Sequence, residues 1–362
     1  YVPIYSSVSG TYKGIVKRMH NSMRPQNHMV IECNFKQTKV QSFAPLDWQS
    51  ATRQECVDFV KNAGIVGLGG AGFPTYVKYM KPDGVDYVLI NAVECEPYIT
   101  ADYRSVMDDA KDLVTGAKIM KKMAEAKTVY ICIKESHPDL IEKVKSVLTD
   151  AAGVEVRPVP DVYPMGWERV LVREVLHKEY GGLPAEAGAI IGNASSAIAI
   201  AKAFEKGEAI TQKNLTVSGE CVKDPHNVCV PVGMPVSEII EACGGYTQDT
   251  VRLISGGPMM GKTIVNDMFV VDRAMNALTV LPAANDDAIA CLRCGKCSDH
   301  CPSGLQPVRI TAALKANDVD EMSKRGVMSC IECGMCTYIC PSHIDVTENV
   351  RKAKRIVMLK KK

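Results

Sequence analysis

The sequence lacks the long apolar runs that cross a membrane and the net charge that attracts nucleic acid. Its longest apolar candidate, residues 187–203, is interrupted by Asn193, Ser195 and Ser196. The formal net charge of +2 leaves no strong field for nucleic acid or an anionic membrane surface. We therefore expect neither a spanning helix nor a nucleic-acid partner. The first residue is Tyr1 rather than Met, so we expect an N-terminal part, which can include a targeting segment, to be missing.

Two cysteine runs near the end of the chain share the spacing C-x2-C-x2-C-x3-C-P. This spacing is typical of the cubane iron–sulfur sites of bacterial ferredoxins. The first run consists of Cys291, Cys294, Cys297, Cys301 and Pro302. The second run consists of Cys330, Cys333, Cys336, Cys340 and Pro341. A protein with two such clusters transfers single electrons, so the runs predict the reaction class.

Ligation of the two 4Fe–4S clusters is expected to cross between the runs. Three cysteines spaced by three residues let one tight turn hold three corners of a cubane, and the fourth reaches only the other cluster. This assigns Cys340 to the cluster of the first run and Cys301 to the cluster of the second. Structural zinc is the alternative, but zinc sites use two CxxC pairs or Cys/His sets and need no fourth cysteine before a proline.

Seven further cysteines are scattered along the chain, and we interpret most of them as reduced core residues. Nothing else in the sequence suggests a small secreted scaffold, so disulfides are disfavoured and a reducing cytoplasm is expected. The seven are Cys33, Cys56, Cys95, Cys132, Cys221, Cys229 and Cys243.

The 362 residues predict two to four domains, and local patterns divide them into segments. Residues 1–45 are interpreted as short strands at the end of a small β domain. Helices and strands alternate over residues 46–206, including a helix over 105–124, which predicts an α/β domain with a largely parallel sheet. Residues 207–284 predict an α+β module, with 278–284 as its link to a helical cluster domain over 285–350. Residues 351–362 are interpreted as a solvated basic tail.

A glycine-rich loop, Gly67-Leu-Gly-Gly-Ala-Gly-Phe-Pro-Thr, contains G-x-G-x-x-G, but a helix rather than a strand precedes it. An ordinary dinucleotide-binding turn is therefore a poor match. The glycines let backbone N–H groups approach a ligand closely. We expect a short helix from Thr75 to Met80 to present its positive end to a phosphate, with Lys78 in reach. The alternative is a glycine-rich turn without a ligand.

Polar residues follow the next predicted strand, in Asn91-Ala-Val-Glu-Cys-Glu-Pro. Ligands of open α/β sheets bind at the carboxyl ends of strands. Asn91 can bond a flavin or base edge, while Glu94 and Glu96 can accept from ribose hydroxyls; a charged loop ended by Pro97 is the alternative. Clusters carry one electron and a nicotinamide gives two, so a flavin is needed between them. The phosphate-binding loop therefore suggests FMN.

These motifs together resemble the RnfC family, the NADH-oxidising subunit of the Rnf electron-transport complex, and more distantly the flavin subunit of respiratory complex I. The resemblance also uses Tyr163-Pro-Met-Gly-Trp-Glu and Gly256-Gly-Pro-Met-Met-Gly, and it covers nearly the whole chain. It implies the end of a barrel-sandwich β domain, an α/β flavin domain, a β-grasp domain of the soluble-ligand-binding (SLBB) type and a two-cluster ferredoxin domain.

The resemblance also implies roles for individual residues. It makes Glu96 and Glu168 the catalytic candidates, and it makes Phe73 and Glu96 the contacts to NADH. Asn91 and Glu94 resemble ring or ribitol contacts. Gly166 and Glu168 match a loop that lines the flavin, and Asn193 matches a residue that closes its pocket. The implied FMN cradle comprises Gly67, Gly69, Gly70, Gly72 and Lys78.

The resemblance implies NAD(H) and other subunits of an electron-transfer complex as partners, with the chain cytoplasmic or peripheral on the inner face of the cell membrane. RnfC proteins usually have Gly-Ala where this chain has Ala92 and Val93, and a glycine and a lysine near Trp167 and Arg169. These differences favour a soluble relative such as PrdC, which feeds electrons to proline reductase. Two further alternatives are electron flow from reduced ferredoxin to NAD, and a cluster-only relay or scaffold with a non-functional flavin site.

Overall fold

The computed structural model describes residues 1–38, 40–149, 152–283 and 287–360. The chain divides into two compact units, Tyr1–Pro282 and Ala283–Lys362. The expected boundary between residues 284 and 285 lies outside the described residues, and the boundaries at 45/46 and 206/207 fall within the larger unit. Those two boundaries stay predictions.

The larger unit begins with a two-stranded antiparallel hairpin of β1 (Gly10–Met19) and β2 (Pro25–Cys33). A bulge interrupts the register between Tyr12 and Gly14, where Gly14 takes φ +110°. Most side chains of both strands are exposed or half-buried, as expected for a ribbon that cannot close a core alone.

An α/β region follows, and its four strands form one parallel sheet with the order β5-β4-β3-β6. Its central strand β3 buries Val88, Leu89 and Ile90 completely, as a sheet covered on both faces does. The parallel α/β prediction is confirmed. The elements are α1 (Arg53–Asn62), β3 (Tyr87–Ala92), α2 (Ala101–Asp108), α3 (Ala110–Ala124), β4 (Thr128–Lys134), α4 (Pro138–Ser146), β5 (Val154–Val159), α5 (Glu168–Leu176), β6 (Ala189–Asn193) and α6 (Ala194–Lys206).

The predicted single helix over 105–124 is wrong, because the segment contains the end of α2 and all of α3. The break lies at Asp109, whose backbone leaves the helical region at φ −114°, ψ 33°. The Asp109 carboxylate lies 2.6 Å from the Lys202 ammonium on α6, so the residue at the break pairs with a neighbouring helix. Hydrophobic spacing alone does not reveal such a break.

The rest of the larger unit forms a five-stranded sheet with the order β10-β9-β11-β7-β8. Strand β11 pairs parallel with β7 and antiparallel with β9. Interpreting 278–284 as a link is therefore wrong for the part that is described: Leu278, Thr279 and Val280 are fully buried at the centre of the sheet. The elements are β7 (Gln212–Ser218), β8 (His226–Pro231), α7 (Val236–Ala242), β9 (Val251–Ser255), β10 (Lys262–Ile264) and β11 (Ala277–Pro282).

The smaller unit is helical and packs around Leu305, Ile310, Met322 and Val327. The expected basic tail is wrong through Lys360, because those residues belong to a fifteen-residue helix that buries Val350, Ala353 and Val357. Lys361 and Lys362 lie outside the described residues. The helices are α8 (Lys296–Asp299), α9 (Pro307–Lys315), α10 (Val319–Lys324), α11 (Met335–Tyr338) and α12 (Val346–Lys360).

Within the described ranges, none of the helices combines the length and apolar character required to cross a bilayer.

Candidate functional site

The glycine loop is closed at its neck and open at its tip. Val66 and Pro74 form a β-bridge, and the Gly67 N–H donates to the Phe73 carbonyl at 2.8 Å. Among the described residues, no protein acceptor receives the N–H groups of the three exposed tip residues, Gly69, Gly70 and Ala71. The tip therefore presents three consecutive free donors, which is the chemistry of an anion cradle.

Gly70 shows why this tip needs glycine. Its φ is +116°, a conformation that side chains rarely adopt, and a Cβ there would point into open space with nothing within 4 Å. A side chain at this position would therefore extend into the open space beside the exposed loop tip. At Gly69, a Cβ would lie 2.9 Å from the Asn193 amide nitrogen, so the loop approaches the end of β6 more closely than a larger residue permits.

Bonds to both backbone polar groups of Leu68 fix the loop from behind. The Leu68 N–H donates to the Ser196 hydroxyl at 2.9 Å, and the Leu68 carbonyl accepts from the Lys213 ammonium at 2.7 Å. Ser196 lies in the first turn of α6 and Lys213 lies on β7. Two elements far along the chain therefore hold the peptide groups on the two sides of Leu68. Neither residue belongs to a motif, so neither could be predicted from a local sequence pattern.

A wide cavity lies behind the loop, between the N-terminal segment, α6 and β7. Its walls include Leu68 and Lys213 but none of the predicted flavin or NADH residues. This cavity is therefore not the predicted FMN or NADH site.

Lys78 lies in a 3-10 helix of five residues, Thr75–Tyr79, rather than in the predicted helix to Met80. Pro82 follows closely and disfavours helical backbone before it. A short helix therefore begins at Thr75 as expected, and the contact of its N-terminal end with a phosphate stays a prediction. The Lys78 ammonium donates to the Ile191 carbonyl at 2.8 Å and lies 3.3 Å from the Glu168 carboxylate.

Asn91 and Asn193 face each other at the carboxyl ends of β3 and β6, where the parallel strands pair. The Asn91 amide donates to the Gly166 carbonyl at 2.6 Å, so it holds the loop before α5 against the sheet. Gly166 fits closely there, because a Cβ would lie 3.2 Å from the Cys95 sulfur. The structure thus brings these three predicted residues to one edge of the sheet.

Glu94 caps a helix. Its two carboxylate oxygens accept the Asp102 and Tyr103 N–H groups, at 2.7 and 2.9 Å, in the first turn of α2. Burial, together with the nearby Asp102 carboxylate, raises the pKa of Glu94 to about 7. Asp102 in turn accepts from the Asn193 amide at 2.6 Å and the Ser195 hydroxyl at 2.5 Å. Asp102 and Ser195 were missed by the sequence analysis, and the contact with flavin expected of Glu94 stays a prediction.

Glu96 points toward the five-stranded sheet region. One carboxylate oxygen accepts the Met259 and Met260 N–H groups, at 2.7 and 2.9 Å. Burial raises the pKa of Glu96, although these two bonds and one from Tyr163 oppose the rise. A Cβ on Gly257 would collide with the Glu96 side chain, so this glycine is needed for the contact. The contact to NADH expected of Glu96 stays a prediction, as does that of Phe73, which is 45% exposed.

The second cysteine run lines a cavity in the smaller unit. The cysteines around this cavity are Cys301, Cys330, Cys333 and Cys336, the set expected from crossed ligation. Burial raises the pKa of the last three thiols, and the nearby Cys301 adds to the rise. The zinc alternative needs its ligands at about 2.0–2.3 Å from one ion. In the described residues, no group of three or more His, Cys, Asp and Glu side chains is arranged to hold one metal ion.

The first run is more open. Cys291 and Cys294 are exposed, and Cys297 is half-buried. The segment after Cys340 reaches this run, because the Ile289 N–H donates to the Ser342 carbonyl at 3.1 Å and the Ser342 hydroxyl donates to the Ala290 carbonyl at 3.2 Å. These two bonds therefore bring the segment just after Cys340, the fourth cysteine of the second run, to the segment just before the first run.

The two runs use the same turn. Arg293 and Glu332 both have positive φ, 56° and 57°, and their N–H groups donate to the sulfurs two residues earlier at 3.4 Å. Gly295 and Gly334 occupy equivalent positions in the two runs and have similar φ values, 82° and 79°. Gly295 immediately precedes α8, and Gly334 immediately precedes α11. Backbone N–H groups aimed at cysteine sulfur are an environment that suits iron–sulfur ligation.

A half-buried charge network supports the second run. The Glu332 carboxylate pairs with Arg351 at 3.1 Å and with Lys354 at 2.9 Å, both on α12. Burial would raise the pKa of Glu332, but Lys354 and Arg351 bring it below its usual range. Lys354 also donates to the Cys330 carbonyl at 2.8 Å. The network ties α12 to the backbone of the second run.

Three protein-family profiles match the chain, each over a different segment. They are described as the Nuo51 FMN-binding domain over residues 60–202, the SLBB domain over residues 214–263 and the 4Fe-4S dicluster domain over residues 283–341. The chain thus contains the flavin, β-grasp and two-cluster domains that the sequence implied.

Curated relatives match over most of the chain. The C component of the proton-translocating ferredoxin:NAD(+) oxidoreductase complex of Clostridium ljungdahlii is 35% identical over 84% of this chain and 68% of the relative. The Na(+)-translocating counterpart of Acetobacterium woodii is 34% identical over 100% of this chain and 83% of the relative. The C component of the ion-translocating oxidoreductase complex of Rhodobacter capsulatus is 37% identical over 77% of this chain, which spans only 56% of it.

A solved structure supports the fold alone. The NAD+-reducing NiFe-hydrogenase in the H2-reduced state matches with a TM-score of 0.58 at 15% identity. The match covers 88% of this chain and 64% of that one.

Proposed function

Since the chain belongs to the RnfC family, we propose that it exchanges hydride between NAD(H) and FMN and relays single electrons through two 4Fe–4S clusters to or from partner subunits. The observation that carries the proposal is the presence, in one chain, of a loop with three free N–H donors and of two cysteine runs with matching turns. When bound, the flavin supplies the conversion between two-electron and one-electron steps.

For the flavin site, we assign the phosphate to the N–H groups of Gly69, Gly70 and Ala71. Lys78 adds positive charge beside the loop, and its pairing with Glu168 keeps the side chain at the sheet edge. Asn91 orients the Gly166 backbone toward the same edge. These residues would bind and orient the flavin.

For the nicotinamide, we assign Phe73 and Glu96. Phe73 is exposed beside the loop, where its ring is free to stack on a base. One Glu96 oxygen holds the Met259–Met260 turn, and the carboxylate lies between that turn and the strand end, where its charge favours free ribose hydroxyls over a 2′-phosphate. NADH should therefore be preferred over NADPH.

For the clusters, we assign Cys291, Cys294, Cys297 and Cys340 to one cubane and Cys301, Cys330, Cys333 and Cys336 to the other. The lining of the second-run cavity and the Ile289–Ser342 contact support this pairing.

The partners we propose are other subunits of an electron-transfer complex, as the names of the relatives suggest. A membrane-bound Rnf complex, with this chain peripheral on the inner face of the membrane, is the specific form. A PrdC-like donor to proline reductase is the alternative, and it rests on the differences at Ala92, Val93, Trp167 and Arg169. Co-purification of partners with the native chain distinguishes the two.

The test of the function is reconstitution of the purified chain under anaerobic conditions. We expect about one FMN and about eight iron atoms per chain, and reduction of flavin and clusters by NADH. A chain with full clusters and no flavin would instead support the cluster-only relay, and bound zinc in place of iron would overturn the cluster assignment.

A further inference from the structure

Lys213 is a buried cation behind the glycine loop. It lies on β7 with 4% of its surface exposed, yet its ammonium donates to the Leu68 carbonyl of the loop, which belongs to a different sheet region. Burial lowers the pKa of Lys213, and the carboxylates of Asp102, Asp272 and Glu94 act in the opposite direction. Burial of a charged ammonium costs free energy, so the bond that Lys213 makes to the loop requires an explanation.

The geometry of one peptide provides that explanation. A trans peptide is planar, so the Leu68 carbonyl and the Gly69 N–H point in opposite directions. Lys213 holds the carbonyl toward the protein interior, and Ser196 holds the Leu68 N–H there as well. The Gly69 N–H is consequently turned to the open side of the loop, where it has no acceptor among the described residues.

We propose that Lys213 is a positioning residue that aims the Gly69 N–H at the ligand phosphate and strengthens it as a donor. A cation bonded to the carbonyl polarises the whole peptide, because chains of hydrogen bonds reinforce one another. Lys213 thereby raises phosphate affinity without contacting the ligand. This inference rests on the proposed binding of FMN at the loop, and it makes the five-stranded sheet a support of the flavin site.

The test compares two ligands that differ only in the phosphate, FMN and riboflavin. Lys213→Met removes the ammonium and keeps the length of the side chain. Without the ammonium, the Gly69 N–H should lose its bond to the charged phosphate. We therefore expect FMN affinity to fall by about tenfold or more, the usual effect of losing one charge-assisted bond, while riboflavin affinity changes much less. A merely structural role would weaken both ligands alike and leave their affinity ratio unchanged, and that result would overturn the inference.

Lys202→Met is the matched control, because Lys202 is a nearby half-buried lysine whose ammonium pairs with Asp109 and makes no bond to the loop. It should keep the wild-type ratio of FMN to riboflavin affinity. If Lys213→Met does not fold, Lys213→Gln, which retains a buried polar group of shorter reach, takes its place with the same expected loss of ratio. Wild-type protein that binds no FMN would refute the proposed function itself, whereas binding with unchanged ratios in the variants would refute only the role of Lys213.

Discussion

The glycine loop and the cysteine runs solve the problem of binding a cofactor in opposite ways. The loop offers backbone N–H groups and uses glycine where a side chain is disfavoured, since Gly70 has a φ of +116°. The runs offer sulfur atoms and depend on the presence of particular side chains. The loop should therefore fail when atoms are added, and the cysteine sites should fail when atoms are removed.

The two regions also differ in what holds them. The loop is fixed by Ser196 and Lys213, which lie 128 and 145 residues along the chain from Leu68. Each cysteine run makes its own turn locally, and in the proposed arrangement it takes only its fourth ligand from the other run. Damage in one region should consequently leave the other intact, and the following variants test that independence.

The largest effect is expected from Cys301→Ala. Crossed ligation predicts loss of the cluster held by Cys330, Cys333 and Cys336, so iron should fall by about half while FMN content is unchanged. Iron analysis and the paramagnetic resonance spectrum of the reduced protein measure this. Cys229→Ala, an exposed cysteine outside the runs, is the control and should retain all iron. Loss of the first-run signal in place of the second would contradict the crossed arrangement.

Gly70→Val adds atoms where the loop needs none. Bound FMN should be lost, because a branched side chain would fill the open space in front of the donors, while the iron content stays complete. Gly84→Val is a matched control: Gly84 also has positive φ, +77°, with nothing within 4 Å of a Cβ, but it lies outside the loop. The control carries similar backbone strain, of order 1–3 kcal/mol, and should keep its flavin. Equal loss of flavin in both variants would mean that strain, and not the site, is responsible.

Glu96→Gln tests whether the larger unit can lose NADH binding while it keeps the flavin. NADH affinity should fall about ten- to hundredfold, because a charge-assisted hydrogen bond is worth about 1.5–3 kcal/mol, while flavin content is retained. Discrimination against NADPH should weaken as well, since the repelling charge is gone. Steady-state kinetics with both nucleotides measure the change, and dithionite reduction of the clusters should be unaffected. Glu220→Gln, an exposed carboxylate bonded to Tyr98, serves as control; a wild type that uses NADPH equally well would refute the assignment.

The smallest effect concerns the charge network of the second run. Lys354→Met leaves Glu332 half-buried with only Arg351, and we expect the smaller unit to lose about 1 kcal/mol of stability after allowance for solvent screening. Urea unfolding of the iron-loaded protein, followed by loss of cluster absorbance, provides the measurement. Lys352→Met, an exposed neighbour on the same helix, should be neutral. Equal midpoints for the two variants would show that the network adds nothing to the second run.

The same contrast explains what the sequence could predict. The two-cluster domain was predictable because its cysteine spacing is local, and the parallel sheet because helices and strands alternate along the chain. Lys213 and Asp102 were missed because their partners are distant in sequence and no local pattern marks them. The strand at Leu278–Val280 was mistaken for a link because nothing in a short apolar segment tells whether it enters a sheet. The basic residues of α12 concealed the apolar stripe of Val350, Ala353 and Val357.

The proposed exchange of fourth cysteines between the runs has a consequence for the degradation of the protein in the cell. A cluster that joins Cys301 to Cys330 would enclose α9 and α10 in a covalent ring, and the other cluster would join Cys297 to Cys340 around it. Such cross-links restrict the unfolded chain and so favour the folded one. In iron-starved cells the smaller unit would lose these restraints, so degradation by cellular proteases should begin between residues 287 and 360 and leave the larger unit for later.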